Sequence, residues 1–202
     1  YLGHTQFYSN RPWEDCEKQI SSQKSFCVGL IMTNLITMTF TQKSIKWTAL
    51  YSECKRYRYS LTRETNNSKL KLLFILLNPS TATETKNDPT ISRCQKRTQE
   101  LGYTAFRVCN LFAFRTKDPL IMKGSIDPIG PENNNIINES LYWSNKIICA
   151  WGSDGKYLER GDEVRNIIKK NGCKAFHLGL TKSNQPKHPL YITYSQKILK
   201  WI

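Results

Sequence analysis

The chain has 202 residues, of which 39% are hydrophobic, enough to bury the core of one ordinary globular domain. Lysines and arginines number 30 against 16 acidic residues, and the formal net charge of +14 favours a polyanionic partner, because each neutralised phosphate releases condensed counterions. The seven cysteines form no CxxC pair and only three histidines accompany them, so the usual spacings of zinc and iron–sulfur sites are excluded, and we expect no metal and no cofactor.

Residues 1–44 are the first predicted segment, an N-terminal extension without a clear helical period. Within it, the apolar run from Phe26 to Phe40 is too short for a membrane helix and is interrupted by polar residues. No secretory signal is visible, and the odd number of cysteines indicates a reducing compartment, so we expect a cytoplasmic monomer that does not bind membranes. The extension is predicted to add a helix or a strand to the edge of an α/β domain formed by residues 45–202.

The α/β domain is predicted to begin with a β-hairpin and to continue with buried strands. Trp47–Tyr51 and Tyr57–Leu61, separated by a short turn segment, predict the hairpin. Four continuous apolar runs follow, and such runs are typical of strands buried on both faces of a parallel sheet. These runs are Leu70–Leu77, Ala105–Phe112, Lys146–Trp151 and Ala175–Leu180.

Helical patterns occupy the intervals between these runs. Asp88 is suited to cap a helix that has Pro89 at its first position, and Gly102 ends that helix. Three further helices are predicted at Pro131–Trp143, Lys156–Lys170 and Ile192–Ile202. The alternation predicts a three-layer α/β/α sandwich around a central, mostly parallel, four-stranded sheet.

Candidate site residues lie where these strands end, because ligands of open α/β sheets bind beyond the carboxyl ends of the strands. Asn78-Pro79-Ser80 follows the first buried strand, Asn110 ends the second, and His188-Pro189-Leu190-Tyr191 comes after the fourth. An asparagine amide can contact the polar edge of a base, or it can simply cap a loop. The Asn-Pro pair is equally compatible with an ordinary turn, and a single histidine with a structural role.

Taken together, in this order, the three motifs resemble those of the uracil-DNA glycosylase superfamily. That superfamily has an Asn-Pro-Gly type first motif, an asparagine after the second strand and a His-Pro-Ser-Pro type last motif. Over about residues 46–202 the chain resembles more closely an uncharacterised bacterial and phage domain family. The matching motifs are Arg56–Tyr59, Leu77–Ser80, Asp88–Thr90, Asn110–Arg115, Asp127–Gly130, Ala150–Gly152 and His188–Tyr191.

The resemblance implies a monofunctional DNA glycosylase, which flips one base out of the helix and hydrolyses its N-glycosidic bond to leave an abasic site. It implies catalytic roles for Asn78, His188 and Asp88, although Asp88 is also the predicted helix cap. The implied base-binding residues are Pro79, Ser80, Thr90, Asn110, Phe112 and Arg115, and the implied DNA-binding residues are Lys187, Leu190 and Tyr191. No lysine lies inside the motifs that would form the pocket, so we expect water and not a Schiff base as the nucleophile.

The chain departs from the superfamily pattern at two positions of the predicted pocket. Ser80 stands where glycine is usual, and Thr90 stands where many of these enzymes place an aromatic ring against the base. A roomier, more polar pocket favours bulky modified cytosines of phage DNA, and therefore antiviral defence. Repair of uracil is the other possibility, with Phe112 or Phe114 supplying the stacking ring. Alternative functions are a non-catalytic nucleic-acid-binding module and a nucleoside or nucleotide hydrolase, and the charge also suits a merely basic surface.

Overall fold

The computed structural model describes residues 34–202, which form a mixed α/β fold around one eight-stranded sheet. The strands are β1 (Leu35–Gln42), β2 (Ile45–Ser52), β3 (Arg58–Thr65), β4 (Lys71–Leu76), β5 (Ala105–Asn110), β6 (Lys146–Cys149), β7 (Ala175–His177) and β8 (Leu199–Lys200). The helices of the described residues are α1 (Pro89–Glu100), α2 (Pro119–Lys123), α3 (Asn133–Trp143) and α4 (Arg160–Lys170). Two 3₁₀ segments, Ser153–Glu159 and Pro189–Tyr191, complete the elements.

The sheet has the strand order β1-β2-β3-β5-β4-β6-β7-β8 and is mixed. Parallel pairing joins β5, β4, β6 and β7, the strands predicted from the four apolar runs. The other pairings, including the one between β3 and β5, are antiparallel. The prediction of a central, mostly parallel, four-stranded sheet is therefore wrong in extent, because the sheet has eight strands and four of its seven pairings are antiparallel. In a sheet of these four strands alone β5 would be an edge with one row of unpaired backbone groups, and β3 of the hairpin pairs with that row.

The predicted hairpin is confirmed as β2 and β3, which pair in register with Ala49 opposite Leu61. Before it, β1 pairs antiparallel with β2 and forms one edge of the sheet. Residues 35–42 of the predicted extension thus add a strand to that edge. The part of the extension before residue 34 lies outside the described residues.

Both faces of the sheet are buried, as the side chains of β4 show. Leu73 and Ile75 belong to a core beneath α3 and α4, whereas Leu72, Phe74 and Leu76 belong to a second core beneath α1. A strand covered on both faces needs apolar side chains at consecutive positions, which explains the continuous apolar runs.

The starts of two helices test the predicted boundaries. α1 begins as predicted, because the Asp88 carboxylate accepts a hydrogen bond from the Ile91 N–H at 2.9 Å and Pro89 occupies the first turn. α4 begins at Arg160 and not at Lys156. Leu158 and Glu159 adopt φ values of 53° and 54°, outside the right-handed helical region, so the helix cannot extend back through them.

The predicted C-terminal helix at Ile192–Ile202 is wrong. This segment runs irregularly and ends with β8, which pairs antiparallel with β7. The carbonyls of Thr193, Tyr194 and Gln196 accept hydrogen bonds from the Arg97 guanidinium at 2.9, 3.5 and 3.1 Å. These carbonyls therefore find their donor on α1, and the segment gains a strand partner at the open edge of β7.

Candidate active site

A cavity of about 720 Å³ opens at the carboxyl ends of the parallel strands. Residues that follow β4 and β6, the last residue of β5, the first turn of α1 and the 3₁₀ segment Pro189–Tyr191 contribute to its walls. Nine of the twelve predicted site residues line it, namely Asn78, Ser80, Asp88, Thr90, Asn110, Lys187, His188, Leu190 and Tyr191. The three sequence motifs are therefore brought together in one place.

The amide of Asn78 is held in one orientation by backbone carbonyls. Its Nδ2 donates to the carbonyl of Thr116 at 2.8 Å and to the carbonyl of Pro79 at 3.2 Å. Because both partners are hydrogen-bond acceptors, the amide atom that faces them is the nitrogen, and the other atom is the oxygen. The Oδ1 atom has no donor among residues 34–202, and it is the polar atom that Asn78 has left for a ligand or a water molecule.

Asn110 ends β5 and is only 1% exposed, yet its side chain has no polar partner. Its Oδ1 is fully buried without a hydrogen-bond donor in the described part of the chain. A buried unpaired acceptor destabilises the protein by about 1–3 kcal/mol unless a ligand or an ordered water molecule satisfies it. Among residues 34–202, Asn110 differs from the others with such an acceptor in lining the cavity. The Asn110 amide is suited to contact the polar edge of a planar ligand inside the cavity.

The His188 imidazole is neutral at physiological pH. Burial lowers the pKa of His188 to about 4, and the negative charge of Asp88 only partly opposes this shift. The ring Nδ1 accepts a hydrogen bond from the Leu190 N–H at 3.3 Å, so in the neutral ring the proton is on Nε2. The following Pro189 begins a 3₁₀ turn, which keeps the ring in place. His188 thus offers one N–H donor and no positive charge.

Asp88 lines the same cavity, but both of its carboxylate oxygens are engaged by the backbone. Oδ1 accepts from the Ile91 N–H at 2.9 Å, and Oδ2 accepts from the Ala82 N–H at 3.4 Å. These contacts are those of a helix cap that also fixes the loop before α1. The geometry favours the capping role over that of a general base.

Replacing Asp88 separates these two roles. We expect Asp88→Ala to lower the free energy of unfolding by about 1 kcal/mol, because it removes the cap, whereas Asp88→Asn keeps the cap on the Ile91 N–H, loses only the longer contact with the Ala82 N–H and should stay closer to the wild-type value. Urea denaturation of both variants measures the difference. An Asp88→Asn protein that is as stable as wild type but loses a measured activity would show that the carboxylate takes part in the chemistry.

The mouth of the cavity is basic and carries an exposed aromatic ring. Lys117 and Lys187 are exposed lining residues, and the Tyr191 side chain is 82% exposed. The centre of the Tyr191 ring lies 5.9 Å from that of the His188 ring, and both residues line the cavity. Leu190 is half-buried in the wall, which leaves Tyr191 as the side chain that projects into solvent.

Three predicted site residues do not line the cavity. Phe112 is fully buried in the core against the Tyr157 ring, because the chain after β5 turns its side chains toward α3. Arg115 is held outside by a hydrogen bond to the Lys55 carbonyl at 3.0 Å and lies over the Tyr51 ring. Pro79 is buried and contributes its carbonyl to the Asn78 amide. Phe114 packs against Tyr57, so neither phenylalanine offers a stacking ring.

Arg58 is a buried cavity residue that the sequence analysis did not assign to the site. It begins β3, is only 2% exposed, and lines the cavity. Its Nη1 donates to the Ala82 carbonyl, while its Nε is buried without a partner in the described part of the chain. Charged residues in a strand pattern are usually assigned to solvent, and the only sequence signal was its position within the Arg56–Tyr59 motif.

Several arginines donate hydrogen bonds to the backbone carbonyls of loops and so hold these loops in place. Arg58 and Arg63 donate to the carbonyls of Ala82 and Thr83, in the loop between β4 and α1. Arg97 and Arg93 donate to carbonyls of residues 192–196, and Arg160 donates to the Leu111 carbonyl at 2.8 Å. Part of the positive charge of the chain is therefore structural.

Residues 34–202 contain neither a cluster of metal-ligating side chains nor a helix that could span a membrane. This part of the chain contains no group of three or more histidine, cysteine or acidic side chains arranged to hold a metal ion. None of its helices combines the length and the apolar character needed to cross a bilayer. Five cysteines in these residues are free thiols, of which Cys94, Cys109 and Cys149 are buried.

Comparison with known proteins gives one match. The profile of a family described as "Protein of unknown function (DUF1643)" matches residues 58–190, more than half of the chain. The match begins at Arg58 and ends at Leu190, so it contains the Asn78, Asn110 and His188 motifs. No curated protein and no solved structure matches the chain.

Proposed function

The chain belongs to the DUF1643 family, whose function is unknown, and we propose from the cavity itself that the protein is a DNA glycosylase. One observation carries this proposal: Asn78, Asn110 and His188, from three separate segments, line a single cavity beneath a basic mouth. The parallel strands β5-β4-β6-β7, with helices on both faces, are compatible with the uracil-DNA glycosylase superfamily that these motifs resemble.

The mouth of the cavity suits a flipped nucleotide. A base inside a duplex is inaccessible, so it must leave the stack and enter the cavity. Lys117 and Lys187 are placed to contact flanking phosphates, and the exposed Tyr191 ring is placed to fill the gap in the stack. Inside, the Asn110 amide contacts the polar edge of the base.

His188 stabilises the charge that develops on the departing base. As the C1′–N bond breaks, its electron pair moves to the base, whose carbonyl oxygen becomes negative. The neutral imidazole donates its Nε2–H to that oxygen, and a donor already in position costs little reorganisation. A neutral donor also avoids holding a buried positive charge before the reaction begins.

Asn78 positions the water that attacks C1′. Its Oδ1 accepts a hydrogen bond from this water, and an amide is too weak a base to do more. Oxygen bonds to the oxocarbenium-like C1′, and the water proton passes through solvent to the base anion. The products are a free base and an abasic sugar, and the strand stays intact.

The wall of the cavity favours a base with a bulky polar substituent. Thr90 lines it where related enzymes place a stacking ring, and the aromatic side chains of its lining are Trp151 and Tyr191. Trp151 is buried, with its indole N–H bonded to Gln185 at 2.8 Å. Modified cytosines of phage DNA fit this description, and removing them would damage an invading genome.

The test of the proposal is an excision assay. Purified protein is incubated with glucosylated phage DNA, with synthetic DNA containing uracil, and with unmodified DNA, and released base and alkali-labile sites are measured. We expect abasic sites in the phage DNA and fewer in the uracil substrate. Absence of abasic sites from every substrate would refute the glycosylase proposal.

A non-catalytic nucleic-acid-binding module is the second candidate, because both carboxylates of the cavity are already engaged. Asp88 is bonded to backbone N–H groups, and Asp154 pairs with Lys123 at 2.7 Å. Sequence-independent binding without abasic sites in the same assay would support this candidate.

Binding to duplex DNA should weaken steeply as salt rises, because phosphate contacts release counterions. We expect Lys117→Ala and Lys187→Ala each to reduce the slope of log affinity against log salt by about 1. Lys170→Ala is the matched control, since Lys170 is exposed at the end of α4, shortly before the amino end of the parallel strand β7, and does not line the cavity. Fluorescence anisotropy over a salt series measures the slopes. Equal slopes for all three variants would show that the mouth of the cavity does not contact DNA phosphates.

A further inference from the structure

The cavity wall contains a buried cation that forms no salt bridge with a carboxylate of residues 34–202. Arg58 is 2% exposed and donates to the Ala82 carbonyl, and no acidic side chain among residues 34–202 forms a salt bridge with it. Its Nε is buried and unpartnered. Burial lowers the pKa of Arg58 to about 10, so the guanidinium remains charged at neutral pH.

The charged groups around Arg58 are one acid that does not contact it and a second cation outside the cavity lining. Asp88 is the nearby acid, and backbone N–H groups already occupy both of its oxygens. Arg115 is a second cation nearby, stacked over the Tyr51 ring with its Cζ 4.9 Å from the ring centre. The Tyr51 hydroxyl donates to Glu84 at 3.1 Å, so that carboxylate is engaged as well.

A buried guanidinium of this kind is costly unless it is paired with an anion. A carboxylate is the best partner, since the planar guanidinium can donate two parallel hydrogen bonds to it. Asn110 lines the same cavity with a buried, unsatisfied Oδ1, which calls for an N–H donor on the ligand. A ligand that satisfies both the Arg58 guanidinium and the Asn110 Oδ1 carries an anionic oxygen and an N–H at its buried end.

We propose that Arg58 and Asn110 form a subsite for a heterocyclic base that bears a carboxylate substituent. This inference rests on the proposed function, because it takes the ligand to be a base. It adds that the polar substituent of this base is a carboxylate. Arg58 binds the carboxylate, and Asn110 accepts a hydrogen bond from a ring or exocyclic N–H. A neutral substituent leaves the guanidinium only partly satisfied and binds more weakly.

Arg63 provides a matched control on the same strand. It holds the same loop, donating to the Thr83 carbonyl at 2.7 Å and to Asn87 Oδ1 at 3.0 Å, and its Cζ lies 4.0 Å from the centre of the Trp47 ring. It does not line the cavity. Substitutions at Arg58 and Arg63 therefore disturb the same loop, but only those at Arg58 remove the cavity cation.

The test is equilibrium binding of two free bases, orotate and uracil, which share one ring and differ in a carboxylate. We expect the wild-type protein to bind orotate on the order of ten- to a hundred-fold more tightly, the scale of hydrogen bonds to charged groups. Arg58→Gln should abolish this preference, Arg58→Lys should retain part of it, and Arg63→Gln should keep it. Calorimetric titration measures all four proteins.

Equal or undetectable binding of the two bases by the wild-type protein overturns the subsite, whatever the variants do. The same holds if Arg63→Gln loses the preference as fully as Arg58→Gln. Because free bases need not be hydrolysed, the two proposals fail separately. A protein that prefers orotate but excises nothing refutes only the glycosylase, and one that excises a base without preferring orotate refutes only the subsite.

Discussion

Replacing His188 by alanine is expected to lower the rate of base excision by on the order of a hundred-fold or more, the scale for losing one donor to a developing oxyanion. The affinity for DNA should change little, because the phosphate contacts lie at the mouth. Overall folding should survive, since the ring makes one hydrogen bond, to the Leu190 N–H of its own turn. Single-turnover excision kinetics and anisotropy measure the two quantities.

The pH dependence of the wild-type protein checks the same assignment. Because burial lowers the pKa of His188 to about 4, the ring stays neutral through pH 6–8, and excision should not fall there through protonation of this residue. In the unfolded chain the pKa is about 6.5. Between that pH and about 4 the unfolded state binds the proton first, so the native state loses stability as pH falls through this window.

His177→Ala is the matched control for His188→Ala. His177 is also buried, and its Nδ1 also accepts a hydrogen bond from the N–H two residues ahead, that of Gly179 at 2.8 Å. It lies outside the cavity lining. If His177→Ala reduced excision as much as His188→Ala does, the loss would reflect damage to the fold and not the removal of a donor.

Gly155→Ala is expected to destabilise the protein by about 3 kcal/mol, the upper end for overpacking a rigid site. A Cβ at this position would overlap the Trp151 indole ring and lie 3.0 Å from Gln185 Oε1. Trp151 cannot move aside easily, because it is 1% exposed and its N–H is bonded to Gln185 at 2.8 Å. For a chain of this length the melting temperature should fall by roughly 6–12 °C.

Gly124→Ala is the control for the expected loss at Gly155. Gly124 ends α2 with φ of −81°, and the nearest atom to an added Cβ would be the Leu120 carbonyl oxygen at 3.5 Å, an ordinary contact. Its melting temperature should stay near the wild-type value. Calorimetry compares the three proteins, and a Gly155→Ala protein as stable as Gly124→Ala would mean that the indole ring moves more freely than its burial indicates.

The sequence predicted well what depends on local pattern. The four apolar runs were predicted to be strands because burial on both faces demands consecutive apolar residues. Asn78, which follows the first of these strands, and Asn110, which ends the second, lie on the cavity. The cap at Asp88 followed from its position before Pro89, and the structure shows its carboxylate bonded to the Ile91 N–H.

The predictions that failed concern residues whose structure depends on partners distant in the sequence. The apolar spacing of Ile192–Ile202 suits a helix or a strand, and the choice was decided by the open edge of β7 and by Arg97, about a hundred residues away in sequence. The resemblance implied that Phe112 lies in the pocket, but the chain turns its side chain into the core. Arg58 was missed because burial of a charged side chain is set by its three-dimensional surroundings.

The arginine hydrogen bonds to backbone carbonyls have a consequence for how this protein can change over evolution. Every residue supplies the same carbonyl, so the hydrogen bonds by which Arg58 and Arg63 hold the loop after β4 do not depend on the side chain at position 83, nor at position 82 as long as the buried residue there stays small. Mutations in the loop can alter the cavity wall, at Ser80 or Thr81 for instance, while its path is preserved. New ligand preferences can therefore arise by single substitutions, and libraries that randomise these two positions and keep both arginines should contain mostly folded proteins.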